Sequence, residues 1–116
     1  MRVLAAVLAF VALPALADTF DGVYRQSENA DCALIGVDGG SLKIENGIFY
    51  GVEMECRMTR PVNVVDMDAM LYTLQCSGED QTWSERAMVM KDAQSDGGII
   101  MLWNGYAFRY SRCPDS

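Results

Sequence analysis

Between residues 48 and 58 apolar and polar positions alternate, with Ile48, Tyr50, Val52, Met54, Cys56 and Met58 on one face and Phe49, Gly51, Glu53, Glu55 and Arg57 on the other. A period of two is the signature of a half-buried strand, so one long strand is expected here with its apolar set in the core. The same alternation recurs over 70–76, where Met70, Tyr72, Leu74 and Cys76 point inward. Shorter apolar runs over 20–25, 32–37, 41–44, 83–90, 99–103 and 106–110 read as further strands. A last short strand is expected over 62–65, behind the breaker Pro61.

Turn residues fall between these runs. Asn46-Gly47 and Asn104-Gly105 mark hairpins, and Asp38-Gly39-Gly40 turns the strand at 32–37 back into 41–44. At the first hairpin a two-residue turn sets Glu45 opposite Ile48 and Lys43 opposite Tyr50, which places charges on the presumed apolar face. A three-residue loop, Glu45-Asn46-Gly47 with a bulged glycine, sets Ile44 opposite Ile48 and Leu42 opposite Tyr50, and is the version expected. Residues 78–80 and 93–98 read as loops. The result is an all-β chain, a small antiparallel meander barrel or flattened barrel of eight or nine short strands stapled by disulfides. Nine alternating strands would leave the first and last parallel, so either the barrel closes incompletely or one segment is not a strand.

The chain opens as an export signal, with Arg2, an apolar stretch over 3–13 and the small-residue site Ala15-Leu16-Ala17. Cleavage after residue 17 leaves one domain over 18–116, in the periplasm or secreted, with Asp18 in place of the cysteine that a lipid anchor needs. The apolar stretch is too short for a membrane span of about 20 residues. Cys32, Cys56, Cys76 and Cys113 all follow the cut and enter an oxidising space, where they are expected to pair. Strand direction places Cys32 and Cys56 at opposite ends of the sheet, which excludes that bridge. A strand at 62–65 selects Cys32 with Cys113 and Cys56 with Cys76, the set expected; a loop there would select Cys32 with Cys76 and Cys56 with Cys113.

Charge and composition narrow the chemistry. Sixteen acidic and nine basic residues give a formal charge of −7, and loss of Arg2 with the leader makes it more negative by one. The scattered cations disfavour nucleic acid, and an acidic surface attracts cationic proteins. Histidine is absent, which removes the Ser/His and Cys/His pairs, the imidazole base and most zinc sites, so neither catalysis nor a metal or cofactor is expected. Glu53 and Glu55, two apart on one strand face, have a glycosidase-like spacing but read as solvated surface. The run Asp92-Ala93-Gln94-Ser95-Asp96-Gly97 begins like a calcium loop and fails at its twelfth position, Trp103. Asp66 and Asp68 with Glu79 and Asp80 are a second acidic set, without a metal-ligand spacing. The methionines beyond the leader alternate in strands as core fillers rather than as copper ligands.

Aromatic residues gather near the C-terminal hairpin, where Trp103 and Tyr106 beside Arg109 and Arg112 have the composition of an interface. The entry Gly22-Val23-Tyr24 followed by a meander resembles the Gly-x-aromatic opening of lipocalin-like barrels. The size, leader and paired cysteines also resemble those of small exported bacterial barrels that inhibit lysozyme or proteases. This likeness implies a non-catalytic protein-binding module that inhibits a hydrolase, with a lipocalin-like small-ligand carrier as the alternative; a monomer is expected.

Overall fold

The computed structural model describes residues 20–114, so the leader expected at 1–17 lies outside the described residues. Eight strands follow one another: β1 (Gly22–Arg25), β2 (Leu42–Glu45), β3 (Ile48–Gly51), β4 (Met54–Asn63), β5 (Ala69–Gly78), β6 (Gln81–Lys91), β7 (Ile99–Trp103) and β8 (Tyr106–Arg112). Each pairs antiparallel with the next, and β8 returns to β1 to close a barrel. Eight is even, so the first and last strands run antiparallel and the closure problem disappears. Among the described residues no helix is long and apolar enough to cross a membrane.

Three segments differ from the sequence expectation. Residues 32–37 form no strand, only an isolated bridge between Ile35 and Ser41. The run 48–58 is two strands, because the chain reverses at Val52 and Glu53, where Glu53 takes a φ of 52°. Residues 62–65 are not a separate strand either: β4 continues past Pro61 to Asn63. Its register slips by one between Thr59 and Val62, a bulge formed where Arg60 adopts a φ of 52°. Proline has no N–H for a ladder, and a bulge is where a strand tolerates it.

The first hairpin has the register that the sequence reading rejected. Glu45 lies opposite Ile48, Ile44 opposite Phe49 and Lys43 opposite Tyr50. Asn46 and Gly47 both have positive φ, 53° and 77°, giving a two-residue turn whose twist matches the strands. Phe49 is the core residue of β3, and Ile48 and Tyr50 are half-buried on the outer face. The charges on that face are accommodated: the Lys43 ammonium sits 4.9 Å from the Tyr50 ring centroid and pairs with Glu45 at 3.2 Å.

Both expected disulfides form, Cys32 to Cys113 and Cys56 to Cys76. Cys56 and Cys76 face each other across β4 and β5, with Cα atoms 3.9 Å apart. A single chain reversal, at 64–68, lies between them, where the sequence reading expects two, one on either side of a strand at 62–65. The pairing is the expected one for a different reason: residues 62–65 form no separate strand, and the long neighbours β4 and β5 set Cys56 directly opposite Cys76. The Cys32 to Cys113 bond ties the long β1–β2 connection, residues 26–41, to the end of β8.

The barrel interior is filled. Tyr24, Ile44, Phe49, Leu74, Val89, Ile99 and Met101 are almost fully buried, joined by Phe20, Tyr72, Trp103 and Tyr110. An aromatic ladder runs along the inner face of β7 and β8, with ring centroids 6.2 Å apart for Trp103 and Tyr106, 5.4 Å for Tyr106 and Phe108, and 5.8 Å for Phe108 and Tyr110.

Removing the cross-strand bridge with Cys56→Ala and Cys76→Ala is expected to cost about 3 kcal/mol, the closure entropy of a loop of roughly 20 residues. Chemical denaturation of the double variant checks it. Burial also fixes the alkaline limit of the fold. It raises Tyr110 to about 12, with the Tyr106 phenol adding to the shift. Tyr24 is raised by burial, opposed by Arg112 and reinforced by Asp21, and Tyr72 is raised by burial and Asp21. The folded state holds these protons where the unfolded chain, with phenols near 10, releases them. Stability is therefore unaffected by these groups below about pH 10 and falls as pH rises through the folded values. Thermal unfolding followed from pH 9 to 12 reads this directly.

Candidate functional site

The longest connection is the place where the fold builds a surface rather than a core. Residues 26–41 have no regular structure, yet their backbone is held from several directions. Ser41 donates its N–H to Leu34 at 2.7 Å, and its hydroxyl lies 3.0 Å from the Leu34 carbonyl and 3.2 Å from that of Cys32. Gly36 donates to Ser41, Gly40 to Val37 and Asp31 to Gly39. Gly40 is required there, because a Cβ would lie 2.3 Å from the Leu34 carbonyl oxygen. With the Cys32 to Cys113 bond behind it, the loop is braced while its apolar side chains stay in solvent: Leu34 is 50% exposed, Ile35 37% and Val37 42%.

The loop leans on the β3–β4 turn. Glu53 donates its N–H to the Gly36 carbonyl at 2.8 Å, which stabilises the left-handed conformation of a residue that is not glycine. Gly78 packs against the other side of this turn, where a Cβ would come 2.5 Å from the Glu53 carbonyl oxygen. Between loop and turn lies an open groove of about 320 Å³, lined by Ile35, Gly36, Tyr50, Gly51, Glu53, Met54, Glu55 and Ser77. Ile35, Tyr50 and Met54 supply the apolar part of its lining, and its charge is that of two exposed carboxylates. Exposed Glu28, Asp31 and Asp38 belong to the same connection, and exposed Val52 follows Gly51. An apolar floor with a carboxylate lip suits the alkyl stem and charged head of a lysine or arginine.

Glu53 and Glu55 are thus brought to one groove, though not on one strand face: Glu53 is in the turn and Glu55 on β4. Sequence reasoning missed the loop because 32–37 looks like a strand, so that Asp38, Gly39 and Gly40 read as a hairpin turn rather than as part of one long connection.

The four residues considered as an interface are divided. Trp103 and Tyr106 stack with an interplanar angle of 11°, Trp103 buried and Tyr106 51% exposed. Arg109 projects from the outer face of β8 toward the 92–98 loop, where its Nε lies 3.2 Å from Asp92 Oδ2 and its terminal nitrogen donates to Gln94 Oε1 at 3.1 Å. Arg112 lies over the Tyr24 ring at 5.5 Å, in space that Gly22 leaves open, since a Cβ there would come 2.6 Å from the guanidinium carbon.

The acidic segments considered for calcium have other geometry. Asp92 is buried and organises its own loop, accepting the Gln94 N–H on Oδ1 at 2.9 Å and the charge of Arg109 on Oδ2. The contact with Arg109 is a charge contact without hydrogen-bond alignment, since Oδ2 has no aligned donor. Asp66 and Asp68 lie at the β4–β5 turn, and Glu79 and Asp80 at the β5–β6 turn, so the whole of β5 separates them by roughly 30 Å. Among the described residues no three His, Cys, Asp or Glu side chains cluster as a metal site. Met101 is buried, Met54, Met58, Met70, Met88 and Met90 are half-buried, and Met67 is exposed.

Asp92→Ala leaves the Gln94 N–H without its acceptor and the Arg109 guanidinium without its countercharge, and is expected to cost about 1–3 kcal/mol in thermal or denaturant unfolding. Comparison of the chain with protein-family models, curated proteins and solved structures finds no match.

Proposed function

We propose that the protein is a non-catalytic binding module that inhibits a cationic hydrolase in the periplasm or outside the cell, acting as a monomer. The observation that carries this reading is the braced loop beside the acid-lipped groove. Leu34, Ile35 and Val37 supply exposed apolar anchors on a backbone that is already ordered, so little conformational entropy is lost on docking. Glu53 and Glu55 receive one basic side chain of the partner, and Glu28, Asp31 and Asp38 add the acidic surroundings that steer a cationic surface into place. Two disulfides fit an oxidising compartment, and the leader expected at 1–17 directs export. A packed interior gives no support to a small-ligand carrier, which needs a cavity of about 300 Å³ or more inside the barrel.

The test is titration of a basic lysozyme and of a trypsin-like protease with the mature protein. Loss of hydrolase activity at a one-to-one ratio is expected for a target, weakening as salt rises. Glu53→Gln with Glu55→Gln is expected to weaken that inhibition by about tenfold to a hundredfold, the range for a hydrogen-bonded charge pair at an interface. Val37→Asp should abolish it, with unfolding temperatures near that of the parent protein. Undiminished inhibition in these variants rules out the groove.

A further inference from the structure

Strand lengths in this barrel are unequal. β6 has eleven residues and β7 five, and only Ala87–Lys91 of β6 pair with β7. Above the last rung, Ala87 opposite Trp103, residues 81–86 have β5 on one side and, among the described residues, no strand on the other. The backbone groups left there follow from ladder parity. The β5–β6 turn has two residues, Glu79 and Asp80, both at positive φ, so its closing pair Gly78 and Gln81 is hydrogen-bonded. Alternation then directs Trp83 and Glu85 to β5, and turns the N–H and C=O groups of Thr82, Ser84 and Arg86 outward. The β7–β8 hairpin gives the same parity from the other side, with Met88 bonded to Leu102.

A notch of about 720 Å³ opens along this edge, lined on one side by Ser84, Glu85, Arg86 and Met88 and on the other by Leu102, Trp103 and Asn104. Leu102 is 46% exposed. Two groups in the notch point to a ligand. Trp103 is buried, yet among the described residues its indole N–H has no acceptor. Glu85 is half-buried on the inner face of β6, and its carboxylate accepts the Trp83 indole N–H at 2.6 Å but pairs with no cation among the described residues. A buried donor without a partner costs free energy in the free protein, and a half-buried carboxylate without a countercharge offers a place for a cation.

We propose that the β6 edge receives an extended basic peptide segment of a partner protein as an added antiparallel strand, with a lysine or arginine of that segment reaching Glu85. Backbone pairing to Thr82, Ser84 and Arg86 supplies affinity that does not depend on sequence, and the side chains of the added strand alternate between two environments. Those facing inward meet Trp83 and Glu85; those facing outward meet Leu102 and Met88. A second copy of this chain is disfavoured as the occupant, because both copies carry the same acidic charge.

The probe is a seven-residue peptide alternating valine with lysine, compared with its glutamate-for-lysine counterpart, titrated into the mature disulfide-bonded protein and followed by amide hydrogen exchange in NMR spectra. Binding of the lysine peptide is expected to slow exchange at Thr82, Ser84 and Arg86 by at least tenfold, leaving Trp83 and Glu85 unchanged because β5 already holds them. Ser84→Pro removes an N–H that no ladder bond uses, and is expected to abolish binding while the β5–β6 amides stay protected. Glu85→Gln should weaken binding about threefold to tenfold. No binding, uniform protection, or equal binding of the glutamate peptide overturns the proposal. Concentration-dependent protection of the three amides in the free protein also overturns it, in favour of self-association. Val37→Asp leaves this site intact, so the outcome is independent of the groove beside Glu53.

Discussion

Closure of the barrel rests on a seam of two residue pairs, Tyr24 with Arg112 and Arg25 with Ser111. A sheet of eight strands with a single apolar face is stable only if it curls on itself or is covered, and here curling brings its first strand, of only four residues, against its last. The seam is reinforced by groups the ladder does not use. Cys113 donates its N–H to the Val23 carbonyl at 2.8 Å, and its side chain carries the bond to Cys32. Tyr24 donates its hydroxyl to the Phe20 carbonyl at 2.6 Å, which draws Phe20 into the core at the mouth of the barrel. Arg112 lies over the same ring, in the space above Gly22. The ordering of residues 26–41 depends on this seam, because the loop starts at the end of β1 and is tethered at the end of β8.

Elsewhere the pairing is generous. β4, β5 and β6 form a ladder of ten and eleven residues per strand, roughly twice the length of β7, and the excess stands beyond the closed part of the barrel. A barrel made of unequal strands is closed in connectivity but retains edges where a long strand passes the end of a short neighbour. Those edges and the tethered loop are separate places at which the protein meets its surroundings, each with its own chemistry. The first offers unpaired backbone, the second exposed leucine, isoleucine and valine with carboxylates nearby.

The errors in the sequence reading share one cause. Val52 and Glu53 carry none of the usual turn residues, and their reversal is held from outside by the Gly36 carbonyl and by Gly78, both distant in sequence. Alternation runs through this turn without a break, so 48–58 imitates one strand and assigns β3 the wrong inward face. In the same way Lys43 and Glu45 argued against the true register of the first hairpin. Their outward placement is satisfied by the Tyr50 ring and by each other, contacts that exist only once β2 and β3 are paired.

Local pattern was sufficient for what depends on period: an all-β meander, the inward cysteines of β4 and β5, and the Asn46-Gly47 and Asn104-Gly105 hairpins. These follow because side chains alternate strictly along a strand and because an Asn-Gly pair between two such runs marks a hairpin. The groove at Glu53 and Glu55, the braced loop above it and the open edge of β6 depend instead on contacts between segments far apart in the chain. Tertiary pairing placed them, since how far each strand runs is set by where its neighbours stop and not by its own residues.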